Sequence, residues 1–108
     1  MKPLEEVLEA INEIIEEYES GAYVTQHALS EAHRKLVSNM YWLTKLQVEF
    51  QRDWQKNYYL SAETSNAAKE RMADDKVPEL YMCRKILEAA KGVSISMGYE
   101  LGIMKNES

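Results

Sequence analysis

The chain has 108 residues, 45% of them hydrophobic and 29% charged, with a formal net charge of −5. This length favours one domain, 1–108, with a thin core, and the acidic balance excludes a generally basic protein that coats nucleic acid. The one cysteine, Cys83, excludes an internal disulfide and favours a reducing compartment. The sequence shows no secretory signal and no apolar run near the roughly 18 residues that span a membrane. We therefore expect a cytoplasmic protein without membrane partners.

Charge is distributed unevenly along the chain. Residues 1–33 contain eight glutamates and one lysine, a net charge of −7, whereas residues 34–58 have a net charge of +3. The remaining residues carry a net charge of −1. Such a chain is able to fold one part against the other, or to pair head to tail with a second copy.

The first predicted helix covers residues 4–19 and follows Pro3, which suits the start of a helix because its missing N–H costs nothing there. Its apolar residues recur every three or four positions, and glutamates occupy the other face. Ser20 and Gly21 form a stop signal, since glycine readily adopts the left-handed conformation that ends helices. The seven-residue apolar spacing continues through Gly21, however, so a continuous helix from residue 4 to 60 is the alternative interpretation.

The longest predicted helix covers residues 22–60 and would measure roughly 58 Å at 1.5 Å per residue. Large apolar side chains form a seam along it that is typical of helices winding around each other. The seam residues are Leu29, Leu36, Leu43, Leu46, Phe50 and Trp54. A helix this long cannot bury its own seam, so it needs partner helices from the same chain or from another copy. Asn39 lies beside the seam. We expect it at the solvated rim; a buried Asn39 would instead fix helix register.

A short helix is predicted over residues 66–74, with Ser65 or Asn66 as its cap. After it, Asp74 or Asp75 is expected to cap the last helix.

The last predicted helix covers residues 78–104, with Pro78 in its first turn. Residues 93–103 also alternate strictly between apolar and small or polar side chains, which is the periodicity of a strand. We favour the helix, because a lone strand would need the strand of another copy to pair with.

Together these elements predict an all-α fold, in which a long central helix has shorter antiparallel helices packed along it in a coiled-coil-like hairpin or bundle. We expect an oligomer, with a homodimer favoured. Light scattering that returns the monomer mass of 12.5 kDa at micromolar concentration would contradict that expectation.

The titratable residues give no support for catalysis. His27 and Glu31 lie one turn apart near His33, but a zinc motif such as H-E-x-x-H is absent from the sequence. Cys83 has no spaced histidine partner and is interpreted as a core residue. The sequence also lacks glycine-rich phosphate loops, nucleophile elbows and kinase signatures. We therefore expect no enzymatic activity, no cofactor and no metal.

One group of residues combines aromatic rings with cations along a single face of the long helix. Its members are Tyr41, Lys45, Arg52, Lys56 and Tyr59, flanked by Trp42, Trp54 and Tyr58. Single-stranded nucleic acid is bound by such combinations, because rings stack on bases and cations neutralise phosphates. In the alternative interpretation, the aromatic rings pack within the fold, and the cations face the glutamates of the first helix.

The glutamate face of the first helix supports a further hypothesis. Its carboxylates, Glu9 and Glu13 among them, would imitate a phosphate backbone and block a basic, nucleic-acid-binding partner. A solvated acidic face is the simpler interpretation.

Four stretches resemble small helical proteins encoded in the early regions of phages and prophages, often near recombination genes. They are LTKLQVEFQRDW (43–54), SNAAKER (65–71), VPELY (77–81) and RKIL (84–87). The resemblance implies a helical, non-catalytic accessory role, in the bacterial host cytoplasm if the chain is phage-encoded. We therefore expect a helical accessory or assembly protein that binds a protein or DNA partner.

Overall fold

The computed structural model describes residues 3–107, and within that range it contains four α-helices and no β-strand. The helices are α1 (Leu4–Glu19), α2 (Gln26–Tyr59), α3 (Asn66–Lys76) and α4 (Pro78–Glu107). The predicted all-α fold, with a long helix packed against shorter ones, is confirmed. Residues 1, 2 and 108 of the predicted domain lie outside the described residues.

The other three helices pack along α2, which gives the molecule its elongated shape of 62 × 24 × 19 Å. α4 runs antiparallel to α2 along most of its length. Arg84 Nη2 donates to Gln51 Oε1 at 2.6 Å near one end, and His33 Nε2 lies 3.2 Å from Ser94 Oγ towards the other. α1 lies against the first half of α2, and α3 lies against its last turns.

Gly21 ends the first helix and reverses the chain. Its φ is +78°, a left-handed conformation that glycine adopts without steric cost. The N–H of Ala22 donates to Glu17 O at 2.9 Å, and the N–H of Gly21 donates to Tyr18 O at 3.1 Å, so carbonyls at the helix end are satisfied. The structure therefore has two separate helices here and not the continuous helix of the alternative interpretation.

The second helix begins at Gln26, four residues later than the predicted start at residue 22. The side chain of Thr25 explains the difference, because its Oγ1 accepts from the N–H of Ala28 at 3.1 Å and caps the helix. The predicted start of the helix was wrong because the spacing of apolar residues does not show which residue caps the helix.

The predicted seam of α2 faces the other helices. Leu29, Leu36 and Leu43 are fully buried and Leu46 is nearly so, whereas Phe50 and Trp54 are half-buried. The residues that pack against the seam are Val7, Ile11 and Ile14 of α1 and Cys83, Leu87, Ala90 and Met97 of α4. Full burial of a leucine side chain stabilises a fold by about 1.5–3 kcal/mol. Because helices of the same chain cover the seam, its burial does not require a second copy.

Asn39 is buried, with 6% of its surface exposed, so the expectation that it lies at a solvated rim was wrong. It follows Leu36 by three residues and precedes Leu43 by four, which places all three on the inner face of the helix. Its Nδ2 donates to the carbonyl of Lys35 at 2.8 Å. That bond satisfies the amide nitrogen without bringing it to the surface.

The last two helices are longer than predicted. Ser65 Oγ caps α3 by accepting from the N–H of Ala68 at 3.1 Å, but α3 continues past residue 74 to Lys76. Asp74 and Asp75 therefore lie inside α3, and the expectation that one of them caps the next helix was wrong.

A single residue separates α3 from α4. Val77 adopts a φ of −131° and a ψ of 66°, and Pro78 is the first residue of α4. A proline disfavours helical angles in the residue before it, which accounts for the break at Val77. α4 then continues to Glu107, beyond the predicted end at residue 104.

Residues 93–103 are helical throughout. Met97 is fully buried, and Val93 and Leu101 pack against the core at helical spacing from it. Ile95 and Tyr99 point outward and are exposed. The alternating sequence is thus divided between an inner and an outer helix face, and the strand alternative does not occur.

Candidate functional site

The aromatic and basic residues predicted on the long helix lie on one exposed face of α2. We call Tyr41, Lys45, Arg52, Lys56 and Tyr59 the outer α2 stripe. All five are exposed, the two tyrosines by 56% and 78%. Their separations of three, four and seven residues keep them on one side of the helix over about 27 Å. Val48, which is 49% exposed, lies on the same face between them.

At the N-terminal end of the outer α2 stripe, the ammonium group of a lysine lies against two aromatic rings. Lys45 Nζ lies 4.8 Å from the ring centroid of Tyr41 and 5.5 Å from that of Trp42. The two rings meet edge to face, with centroids 5.8 Å apart. Such cation–π contacts are worth about 0.5–1 kcal/mol at an exposed site. A ligand ring that stacks on Tyr41 would therefore compete with, or move, the ammonium group of Lys45.

The other end of the stripe adjoins the aromatic contact between α2 and α3. Trp54 and Tyr58 stack with ring centroids 5.5 Å apart. Trp54 Nε1 donates to Asp74 Oδ1 at 2.8 Å, and the Tyr58 hydroxyl donates to Asn66 Oδ1 at 3.2 Å. These two rings hold α3 in place, whereas Tyr59 projects into solvent.

The cations of the stripe are not neutralised by the acidic first helix. Among the described residues, no ion pair joins α1 to Lys45, Arg52 or Lys56. Within α2, His27 Nε2 lies 3.4 Å from Glu31 Oε1, one turn away. The three cations of the stripe are exposed, as are Glu49 and Asp53, which lie within four residues of them on α2.

The acidic residues of α1 fall into two groups. Glu5, Glu9 and Glu16 lie on an exposed face, whereas Glu17 accepts a hydrogen bond from the Tyr23 hydroxyl at 2.6 Å. Burial and the Glu17 carboxylate raise the pKa of Tyr23 far above its usual value. Tyr23 thus remains a neutral donor that fixes Glu17 near the turn.

Cys83 is fully enclosed in the core, and burial with the nearby Glu79 raises the pKa of its thiol to about 11. A thiol in that state is a poor nucleophile at neutral pH. His33 links α2 to Ser94 of α4, as described above. Among residues 3–107, no group of three or more histidine, cysteine or acidic side chains is arranged to hold a metal ion.

Comparison with known proteins gives no relative: no protein-family model, curated protein or solved structure matches this chain. Within the described part of the chain, no helix combines the length and apolar character needed to cross a membrane.

Sequence reasoning did not find a groove between α1 and α2, which is lined by Glu13, Glu17, Glu31 and Asn39 among others. The groove is lined by three alanines, Ala10 of α1 and Ala28 and Ala32 of α2, whose small side chains were visible in the sequence. That signal has no meaning until the antiparallel pairing of the helices is known.

Proposed function

We propose that this protein is a non-enzymatic helical accessory protein that binds a protein or DNA partner through the outer α2 stripe. The observation that carries the proposal is the exposure of Tyr41 and Tyr59, at 56% and 78%, on a face that also presents three cations. Tyrosine and arginine are enriched in the contact residues that dominate binding energy. The fold gains little from these side chains where they are, which favours a role in recognition.

A photo-crosslinking experiment tests this proposal. Replacing Tyr59 with p-benzoylphenylalanine places the reactive ring in the stripe, and replacing Tyr81, a 66% exposed tyrosine of α4, provides the matched control. Tyr81 also lies beneath a lysine, with Lys85 Nζ 5.4 Å from its centroid. We expect crosslinked products in cells from position 59 and few from position 81. Equal yields from both positions would contradict the proposal.

A single-stranded nucleic-acid binder is the second candidate. The exposed tyrosine rings favour it, since every base offers a face for stacking, and the exposed cations of the stripe suit phosphates. Nuclease treatment of the crosslinked products separates this candidate from a protein partner, because only a nucleic-acid adduct would be digested.

Binding of a labelled single-stranded oligothymidine, followed by fluorescence anisotropy, tests the second candidate directly. Affinity should fall steeply as salt rises. Lys45→Ala with Arg52→Ala should weaken binding about tenfold, whereas Lys85→Ala with Lys91→Ala, the same charge change on α4, should have less than about a twofold effect. Equal losses in the two double variants would indicate non-specific attraction and would exclude the stripe as the site.

An acidic inhibitor that uses α1 remains the third candidate. Glu9→Gln with Glu13→Gln should abolish capture of a basic partner if this candidate holds, and should leave contacts of the outer α2 stripe unchanged. The stripe is the better candidate, because it combines exposed rings with charge, whereas an exposed acidic helix face is common in solvated helices.

We also propose that the protein is a cytoplasmic homodimer of phage origin, in keeping with the resemblance of residues 43–87. Since helices of the same chain cover the α2 seam, a second copy would contact an outer face. Ile95, Tyr99 and Ile103 are exposed along one side of α4 and offer such a face. Light scattering at micromolar concentration tests the dimer, and a mass of 12.5 kDa would overturn it.

A further inference from the structure

The acidic face of α1 and the outer α2 stripe carry opposite charges at complementary intervals. Three exposed glutamates of α1 are separated by four and then seven residues, and the three cations of the stripe by seven and then four. Each series covers about 16 Å at 1.5 Å per residue. If the two helices run in opposite directions, every glutamate is therefore level with a cation. The pairs are Glu5 with Lys56, Glu9 with Arg52, and Glu16 with Lys45.

The antiparallel register also accommodates the two acidic residues beside the stripe. Glu49 falls opposite Asn12, and neither carries a like charge against the other. Asp53 falls opposite Leu8. In the parallel direction, pairing the outermost residues of the two series sets Glu9 opposite Glu49, so that two carboxylates meet. Because like charges in direct opposition disfavour an alignment, charge selects the antiparallel direction.

The α1 helix of the same chain does not occupy the stripe. It packs against the first half of α2, where Glu13 and Glu17 line a groove with Ala28 and Ala32. Among residues 3–107, no ion pair links α1 to the three cations. The acidic face of α1 and the stripe are therefore both exposed in one copy, and a second copy is able to bring them together.

The stripe also offers apolar surface beside its cations. Tyr41 and Val48 are exposed on this face, and Lys45 Nζ lies 4.8 Å from the centroid of the Tyr41 ring. A side chain that is already held in place loses less freedom on binding than a mobile one. A helix laid on the stripe would thus gain some apolar contact in addition to its ion pairs.

We propose that the acidic face of α1 from one copy docks, antiparallel, on the outer α2 stripe of a second copy. This inference rests on the proposed function, since it names the protein partner of the stripe. Each copy offers both faces, so two copies that exchange α1 contacts make the contact twice. Exposed ion pairs are individually weak and are screened by salt, so the association should be reversible and salt-sensitive.

Sedimentation velocity of the full chain measures this association. At about 0.1 M salt, repulsion between two chains of net charge −5 is screened beyond about 10 Å, and we expect species larger than the 12.5 kDa monomer. At about 1 M salt the screening length falls to about 3 Å, and these species should dissociate. A monomer at the lower salt concentration would overturn the proposal. An assembly that persists at the higher one would also overturn it, because that assembly depends on apolar contacts.

An exchange of charges tests the pairing. The two double variants are Lys45→Glu with Arg52→Glu, and Glu9→Lys with Glu16→Lys. Each variant alone should associate more than about tenfold more weakly than the unaltered protein, because like charges then meet. An equal mixture of the two should associate as the unaltered protein does, since each supplies the charges that the other has lost. Restored association also shows that both variants are folded, and a mixture that stays monomeric would overturn the proposal.

Glu6→Lys with Glu19→Lys is the matched control on α1. It makes the same change of charge at two exposed positions that lie outside the three pairs. We expect it to weaken association by less than about threefold, because its charges are not opposed to those of the stripe. A loss equal to that of Glu9→Lys with Glu16→Lys would indicate non-specific attraction and would overturn the register.

Carbodiimide coupling locates the contact in the unaltered protein. The reagent joins carboxylates to amines that already touch, and it is applied to an equal mixture of isotopically labelled and unlabelled chains. We expect peptides that join Glu16 to Lys45 and Glu5 to Lys56, with one labelled and one unlabelled member. The absence of such mixed pairs would overturn the proposal.

Failure of this inference is distinguishable from failure of the proposed function. Crosslinks from position 59 to a different molecule, in a protein that does not self-associate, would overturn this inference and leave the stripe as a binding surface. A protein that neither self-associates nor forms crosslinks from position 59 would overturn both.

Discussion

The two halves of α2 are held by different kinds of contact. In the first half, which ends at Trp42, Leu29 and Leu36 are fully buried against apolar residues of α1 and α4. In the second half, Leu43 and Leu46 continue the buried row, but Phe50 and Trp54 beyond them are half-buried. There α3 buries Ala73 and is joined to α2 by hydrogen bonds from two aromatic rings. Aliphatic burial supplies non-directional free energy in proportion to area, whereas the hydrogen bonds of the rings mainly fix orientation. The part of α2 up to Leu46 should therefore carry most of the stability, and the α3 end should open at lower free-energy cost.

The largest expected effect comes from Leu36→Ala. This change leaves a cavity in the most completely buried part of the molecule and should lower the free energy of unfolding by about 3 kcal/mol. Val37→Ala is the control. Val37 directly follows Leu36 in the sequence and is 46% exposed, so this change should lower the free energy of unfolding by less than about 1 kcal/mol. Urea denaturation measures both. Similar losses for the two variants would contradict the burial of the first half.

Gly21→Ala tests the turn that connects α1 to α2. The left-handed conformation of Gly21 should make this change cost about 1–2 kcal/mol, although a Cβ there would meet no other atom. Gly92→Ala also adds a methyl group in open space but inside a helix. It should stabilise the protein by up to about 1 kcal/mol. Thermal unfolding should therefore show shifts of opposite sign, and shifts of the same sign would contradict the corner at Gly21.

Trp54→Phe sharpens the comparison at the α3 end. It keeps an aromatic ring but removes the donor to Asp74, and it should cost about 1 kcal/mol. Amide hydrogen exchange should show faster opening in α3 with little change in α1, because the lost bond is local. Uniform acceleration in both helices would show that the two ends unfold together and that the division of α2 is wrong.

At neutral pH the smallest expected effect is that of Cys83, whose neighbour Arg84 contacts the second half of α2, because its contribution changes only in alkaline solution. Burial raises the pKa of the folded thiol to about 11 from its ordinary value of 9.0. The unfolded chain releases this proton first as pH rises, so this contribution to stability is present below pH 9 and is lost as pH rises from 9 towards 11. Cys83→Ala should show a shallower fall in stability over that interval. Equal slopes would mean that the thiol is not shielded in the core.

The sequence predicted those parts of the fold that follow from the periodic spacing of apolar residues. The seam from Leu29 to Phe50 and the stop at Gly21 each have a local physical cause that residue spacing reveals. Asn39 was misplaced because its polar side chain was given more weight than its spacing from Leu36 and Leu43, which puts it on the buried face. The outer α2 stripe was identifiable from residue types and spacing, whereas the α1–α2 groove depends on how two helices pack against each other.

The central claim is that one chain covers the inner face of its own α2 and leaves the outer face for a partner. Intramolecular crosslinking tests it most directly. His33→Cys with Ser94→Cys, in a Cys83→Ala background, places two thiols at a contact between α2 and α4 whose side-chain atoms are 3.2 Å apart. With a short bismaleimide at micromolar protein concentration, we predict a crosslinked product of monomer mass. A product of twice that mass as the main species would show that α4 of another copy covers α2, and would contradict the account.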